Sequence, residues 1–132
     1  METKNKYTGK FVVVYDTVVD GEVCHTNEDE TTKLFDSEDE AFKEIFDDAT
    51  SMLSNYRQSE LKVYCEGVTQ KMVKDMKVLN NGTDIDAMRK FIRKNPQCNY
   101  NDEFAIPADE FILGRKAIFG SEGLQIIGTK LN

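Results

Sequence analysis

Few residues of this 132-residue sequence have the types and spacing of a catalytic site. The only histidine, His25, directly follows Cys24 in a segment that is predicted to be a strand. Because successive strand side chains point to opposite faces, we expect an exposed strand histidine beside a half-buried thiol rather than a Cys-His dyad. The sequence has no C-x-x-C or H-x-x-x-H pair and no glycine-rich phosphate loop. We therefore predict no catalytic residue, no metal site and no cofactor.

Carboxylates are the remaining candidates for chemistry. Residues 27–30 and 84–86 offer oxygen ligands for a hard cation, but neither segment has the spacing of a calcium-binding loop. The favoured interpretation is a solvated acidic turn and the acidic first turn of a helix. A hydrolase would need one carboxylate in an apolar pocket, which a sequence does not reveal. A small hydrolase or cation-dependent enzyme is thus the least supported of three hypotheses.

The acidic residues form a block, and this block carries the leading hypothesis. The formal net charge is -7, and thirteen acidic residues between Asp16 and Asp48 stand against only Lys33 and Lys43. Such a surface disfavours direct contact with nucleic acid and favours a basic protein partner. We predict a non-enzymatic protein-binding module. The predicted partner-binding residues are Glu28, Asp29, Glu30, Glu40, Glu44, Asp47 and Asp48.

In composition the block is similar to small acidic inhibitors that imitate the charge of a nucleic-acid backbone. The resemblance implies a nucleic-acid-binding protein as the partner. The competing interpretation is an acidic face that maintains solubility, or that pairs with the protein's own basic residues between Lys71 and Lys94.

A second hypothesis is assembly through a sheet edge. The predicted strand at residues 124–131 carries Lys130 as its only charge and contains no proline, so it lacks the usual protection of an edge strand. Pairing with a second copy or a larger assembly would cover it. Alternatively, this strand lies in the middle of the sheet, beside the N-terminal hairpin.

Composition indicates one folded domain spanning residues 1–132. Hydrophobic residues make up 39% of the chain, which includes eight phenylalanines and five tyrosines. The longest apolar run, residues 11–15, is too short to span a membrane, and the polar first ten residues do not resemble a signal peptide. Three widely spaced cysteines favour reduced thiols. These features predict a cytoplasmic protein.

The clearest helix begins after Ser37, which with Glu40 has the spacing of a capping box. Glu40, Glu44 and Asp48 form one charged row, and Lys43 has the spacing to pair with Asp39 and Asp47. The opposite, core-facing side is predicted to contain Phe42, Ile45, Phe46, Ala49, Met52, Leu53 and Tyr56.

Elsewhere the patterns predict strands at both ends of the chain. Residues 10–18 and 22–26 flank the hairpin turn Asp20-Gly21, and residues 115–131 resemble a closing hairpin. Residues 61–67 fit either a strand or the start of a helix, and an apolar stripe favours one helix over residues 61–79. Thr83 and Pro107 are predicted to begin two further helices. The fold class is therefore α+β: an antiparallel sheet, built from N- and C-terminal hairpins, packed against about three helices.

Overall fold

The computed structural model describes residues 9–19, 21–26, 33–100 and 102–111. Within these ranges the protein combines an antiparallel sheet with several helices, so the predicted α+β class is confirmed. The chain divides into two compact units. The first contains the described parts of Met1–Ala41 and Phe104–Asn132, and the second is Phe42–Glu103. The predicted closing hairpin lies outside the described residues.

The N-terminal hairpin has the predicted layout. Strand β1 (Phe11–Val19) pairs antiparallel with β2 (Glu22–Thr26), and the register places Val19 opposite Glu22. This register leaves a two-residue connection, in which Gly21 has a φ of +82°. Glycine adopts this left-handed conformation without a Cβ clash, which explains why the Asp-Gly pair was a reliable turn signal.

The third strand, β3 (Phe104–Pro107), pairs with the opening residues of β1 and places Pro107 opposite Phe11. The sheet order is β2-β1-β3. The sequence had placed Pro107 at the start of a helix, which was wrong by one residue, since 108–111 are helical. The first unit's core contains Val12, Val14, Ile106, Ala108 and Phe111. Because Val12 and Val14 alternate with less buried neighbours, β1 buries one of its faces.

Helix α1 (Glu38–Ser54) begins where the capping signal predicted. Of its predicted core-facing residues, Ile45, Phe46, Ala49 and Leu53 are buried. Phe42 and Tyr56 are half-buried and pack against the same core. Met52 does not follow this pattern, because 38% of its surface is exposed. The sequence therefore assigned one exposed residue, Met52, to the core-facing side of the helix.

The single helix predicted for residues 61–79 is wrong, as is its strand alternative. Gly67, with a φ of +83°, separates α2 (Gln58–Tyr64) from α3 (Gln70–Asn80). Thr69 starts α3 by accepting a hydrogen bond from the Met72 N–H at 3.2 Å. Residues on both sides of the break still point inward, because Leu61, Cys65, Val68 and Met76 are buried. The apolar stripe therefore identified the core residues correctly although the helix is interrupted.

Helix α4 (Ile85–Lys94) is followed by a 3₁₀ turn at Pro96–Cys98. Its cap is Asp84 rather than the predicted Thr83, since the Asp84 carboxylate accepts from the Ala87 N–H at 3.0 Å. The four helices and the turn enclose the second unit's core, whose buried residues are Phe46, Ala49, Leu53, Leu61, Cys65, Val68, Val73, Met76, Met88 and Cys98. In the described part of the chain, no helix is both long and apolar enough to cross a bilayer.

Candidate functional site

Four of the seven predicted partner-binding residues lie on α1. Glu28, Asp29 and Glu30 fall outside the described residues. Glu44 lies four residues after Glu40, and Asp47 and Asp48 lie three and four residues after Glu44, so all four occupy one side of the helix. Glu40 and Asp47 are exposed, whereas Glu44 and Asp48 are half-buried and have interaction partners within the protein. We refer to these four residues as the acidic side of α1.

The first residue of this side, Glu40, also stabilises the start of the helix. The Glu40 N–H donates to the Ser37 hydroxyl at 3.1 Å, and the Glu40 carboxylate accepts from the Asp36 N–H at 3.1 Å. In a standard capping box the second bond would go to the Ser37 N–H, so this bond is shifted by one residue. Asp36 in turn forms an ion pair with Lys10. Glu40 is therefore held in place while it remains exposed.

Asp47 is held by a neighbouring helix instead of by Lys43. The Asn80 side-chain amide donates to Asp47 Oδ1 at 2.8 Å, while Lys43 Nζ donates to the Asn80 backbone and side-chain oxygens at 2.8 and 2.5 Å. Lys43 thus satisfies a carbonyl at the end of α3, where a cation is favoured. Among the described residues, Lys43 and Asp47 each bond Asn80 rather than forming the predicted ion pair with one another. Asn80 joins the two charged groups and ties α1 to α3.

Six basic residues of α3 and α4 form no ion pair with this side in the described part of the chain. Lys71 forms an ion pair with Asp75 of the same helix at 3.1 Å. Among the described residues, no ion pair joins a carboxylate of α1 to Lys71, Lys74, Lys77, Lys90, Arg93 or Lys94. Arg89 lies over the Phe42 ring at 4.8 Å and has further interactions. These six residues therefore do not form the internal ion pairs that the alternative interpretation of the acidic face requires.

The environments of Cys65, Cys98 and Tyr56 favour the neutral forms of these side chains by raising the pKa of each. Burial raises the pKa of the Cys65 thiol, and raises that of Cys98 to about 11. A thiol is reactive as its thiolate, so both cysteines are poor nucleophiles. The hydroxyls of Tyr56 and Tyr100 are 3.2 Å apart, and this hydrogen bond, followed by desolvation, raises the pKa of Tyr56 to about 12. Tyr56 is consequently protonated at physiological pH.

The structure also locates the other residues that the sequence offered as candidates for catalysis or metal binding. Cys24 and His25 lie in β2, where the register sets His25 opposite Asp16. Asp84 acts as the cap of α4, and Asp86 lies in that helix's first turn. Within the described ranges, no three His, Cys, Asp or Glu side chains are grouped so that they could hold a metal ion.

One cavity in the second unit was not predicted from the sequence. It has a volume of about 150 Å³. Its lining comes from the end of α1 and the turn after it, from α2, and from α3, which contributes both lysines: Leu53, Ser54, Tyr56, Leu61, Gln70, Val73, Lys74 and Lys77. The sequence had placed Lys74 and Lys77 only among the basic residues between Lys71 and Lys94, because their position at this cavity depends on long-range packing.

The chain was compared with protein-family models, with curated proteins and with solved structures. None of the three comparisons found a match.

Proposed function

We propose that this protein is a non-enzymatic binding module that contacts a basic protein surface through the acidic side of α1. The observation that carries the proposal is that Glu40 and Asp47 are exposed while hydrogen bonds within the protein hold both carboxylates in place. Exposed carboxylates on one side of a helix attract a basic partner surface. Glu28, Asp29 and Glu30 extend the proposed surface in the sequence.

The anchoring of the acidic side supports a role in binding. Glu40 is fixed by the helix cap, and Asp47 is fixed by Asn80. Charges that are already positioned lose less side-chain entropy when a partner binds than mobile ones do. A row of carboxylates on one side of a helix also resembles the line of negative charge along a phosphate backbone. A basic nucleic-acid-binding protein is therefore the proposed partner class.

The test is affinity capture from a lysate of the source organism. The test variant is Glu40→Gln, Glu44→Gln and Asp48→Asn, because glutamine at position 40 still accepts the Asp36 N–H. Exposed charge pairs contribute about 0.2–1 kcal/mol each, so losing three should weaken binding by roughly 3- to 100-fold. Raising the salt concentration should weaken wild-type binding in the same direction.

The matched control neutralises three exposed acids away from α1: Glu66→Gln, Asp86→Asn and Asp102→Asn. It changes the net charge equally and should retain the basic partner. The proposal is wrong if the captured protein is held equally by wild type and by the α1 variant, and if salt has no effect on either complex.

Assembly through the sheet is a second candidate, and one described feature favours it. Val18 and Val23 are paired across the hairpin, yet they are 66% and 62% exposed. Strand β2 is also the outermost strand in the described sheet order. An exposed valine pair on an edge hairpin is suited to packing against a second copy.

Light scattering at micromolar concentration tests this candidate. We expect wild type to form a dimer and Val18→Thr with Val23→Thr to be monomeric, because threonine keeps the strand preference but reduces apolar burial. A monomeric wild-type protein would remove self-assembly as a function.

A further inference from the structure

The cavity between α1, α2 and α3 is open to solvent on one side and has an apolar floor. Leu53 and Leu61 are fully buried, Val73 is nearly so, and Tyr56 is half-buried. All of its lining residues belong to the second unit. A partner group that enters the cavity would therefore exchange water for aliphatic and aromatic contacts, which favours an apolar group.

The size of the cavity restricts what can enter it. Sites for drug-sized ligands and cofactors usually have volumes of about 300–1,000 Å³. A cavity of about 150 Å³ accepts a single ring of the size of benzene. This volume matches one leucine or phenylalanine side chain, and it is too small for most metabolites.

Two lysines border the cavity. Lys74 and Lys77 lie three residues apart on α3 and both line the opening. Neither forms a hydrogen bond or ion pair among the described residues, in contrast to Lys71, which pairs with Asp75. An apolar group flanked by one or two carboxylates would therefore suit this cavity. It would contact the apolar floor and form ion pairs with the lysines at the border.

Apolar surface continues beyond the cavity. Tyr64 is 64% exposed, and its ring lies 6.1 Å from the ring of Tyr56, which lines the cavity. Tyr64 lies in α2, three residues after Leu61, which also lines the cavity. A small free acid would leave the Tyr64 side chain uncovered, whereas a peptide anchored in the cavity would extend over it.

We infer that this cavity docks an acidic peptide segment of a partner protein. One leucine or phenylalanine of the segment fills the cavity, and flanking carboxylates contact Lys74 and Lys77. The surface is distinct from the acidic side of α1 because it binds the opposite charge. The inference therefore does not depend on the proposed function.

The probes are three blocked pentapeptides: Glu-Glu-Phe-Glu-Glu, Glu-Glu-Ala-Glu-Glu and Gln-Gln-Phe-Gln-Gln. Each is titrated into ¹⁵N-labelled protein and followed by amide chemical shifts. The first peptide should shift Leu53, Leu61, Val73 and Lys74 and reach saturation. Without the phenylalanine ring, binding should weaken about tenfold or more, since burying such a side chain contributes about 1.5–3 kcal/mol. Without the carboxylates, it should weaken about three- to tenfold.

Two pairs of variants separate this site from general basic charge. Lys74→Gln with Lys77→Gln should weaken binding of the acidic phenylalanine peptide about three- to tenfold. Lys90→Gln with Lys94→Gln removes the same charge from α4 and should leave binding unchanged. The variant Glu40→Gln, Glu44→Gln and Asp48→Asn should also bind this peptide as wild type does, even if the proposed function is wrong.

Three results would overturn the inference. The first is equal affinity for the phenylalanine and alanine peptides, which would show that no side chain enters the cavity. The second is an equal loss of binding in the α4 lysine variant. The third is a thymidine decanucleotide that binds the same residues more tightly than the peptide, because the lysines would then recognise phosphate.

Discussion

Replacing Phe46 with alanine should lower the free energy of unfolding by about 3–5 kcal/mol. Phe46 is fully buried in the second unit's core. Its ring meets the Phe91 ring edge-on, with the centroids 6.3 Å apart and the planes at 89°. The substitution removes this aromatic contact and leaves a cavity that the surrounding helices fill only in part. A small domain is stable by about 5–15 kcal/mol in total, so the loss is large.

Phe111→Ala is the matched substitution in the first unit. Phe111 is almost fully buried, and it packs with Val12, Val14 and Ile106. The same cavity argument predicts a loss of about 3–5 kcal/mol. Urea denaturation followed by circular dichroism measures both losses.

Together the two variants test the proposal that residues 1–132 form one domain. The boundary between the units falls inside α1, between Ala41 and Phe42. Because helix formation is cooperative, we expect the units to unfold together. Hydrogen exchange at Val14 reports on the first unit, and exchange at Leu53 reports on the second.

If the chain is a single domain, each variant should lower the free energy of opening at both amides by the same amount. This holds where both amides exchange through global unfolding. Two independent domains would give the opposite pattern: Phe46→Ala would affect only Leu53, and Phe111→Ala only Val14. Unaltered stability in either variant would instead contradict the packing of that core.

The parts of the fold that local sequence signals specify were predicted well. The Asp20-Gly21 turn gave the hairpin, and Ser37 gave the start of α1. Both signals act within a few residues, through a left-handed glycine and a side-chain cap. The apolar period of α1 likewise identified most of its buried side, since Ile45 and Leu53 are both buried.

The errors occurred where local signals competed or where the partner is distant in the sequence. Gly67 interrupts the helix because its φ is positive. The apolar stripe continues on both sides of Gly67, so the periodicity did not indicate this break. Strand β3 was missed because it is short and its partner is Phe11, which lies far away along the chain. A helix-start signal at Pro107 therefore outweighed a strand of four residues.

In the candidate site, too, the sequence predicted what depends on neighbouring residues and missed what depends on distant ones. Helical spacing alone placed Glu40, Glu44 and Asp48 on one side of α1. No local pattern indicated that Asn80 would bind both Lys43 and Asp47, because this contact joins α1 to the end of α3. Composition therefore located the charge, and only the structure identified which carboxylates are fixed.

The methionines of the second unit provide the second large prediction. Met88→Ala should destabilise the protein by about 2–5 kcal/mol, because Met88 is fully buried and is the one residue of α4 in the buried core. Removing its side chain leaves a cavity among four helices. Differential scanning calorimetry should show a correspondingly lower Tm.

Met52→Ala is the matched control, because the residue change is identical and only the burial differs. Met52 was predicted to face the core but is 38% exposed. Alanine has the highest helix propensity, which offsets part of the lost contact, so we expect a change of no more than about 0.5 kcal/mol. If the two substitutions cost the same, the Met52 side chain packs in the core as the helical period suggested. A large difference would show that α1 turns Met52 outward, next to the solvent rather than among the buried residues Ala49 and Leu53.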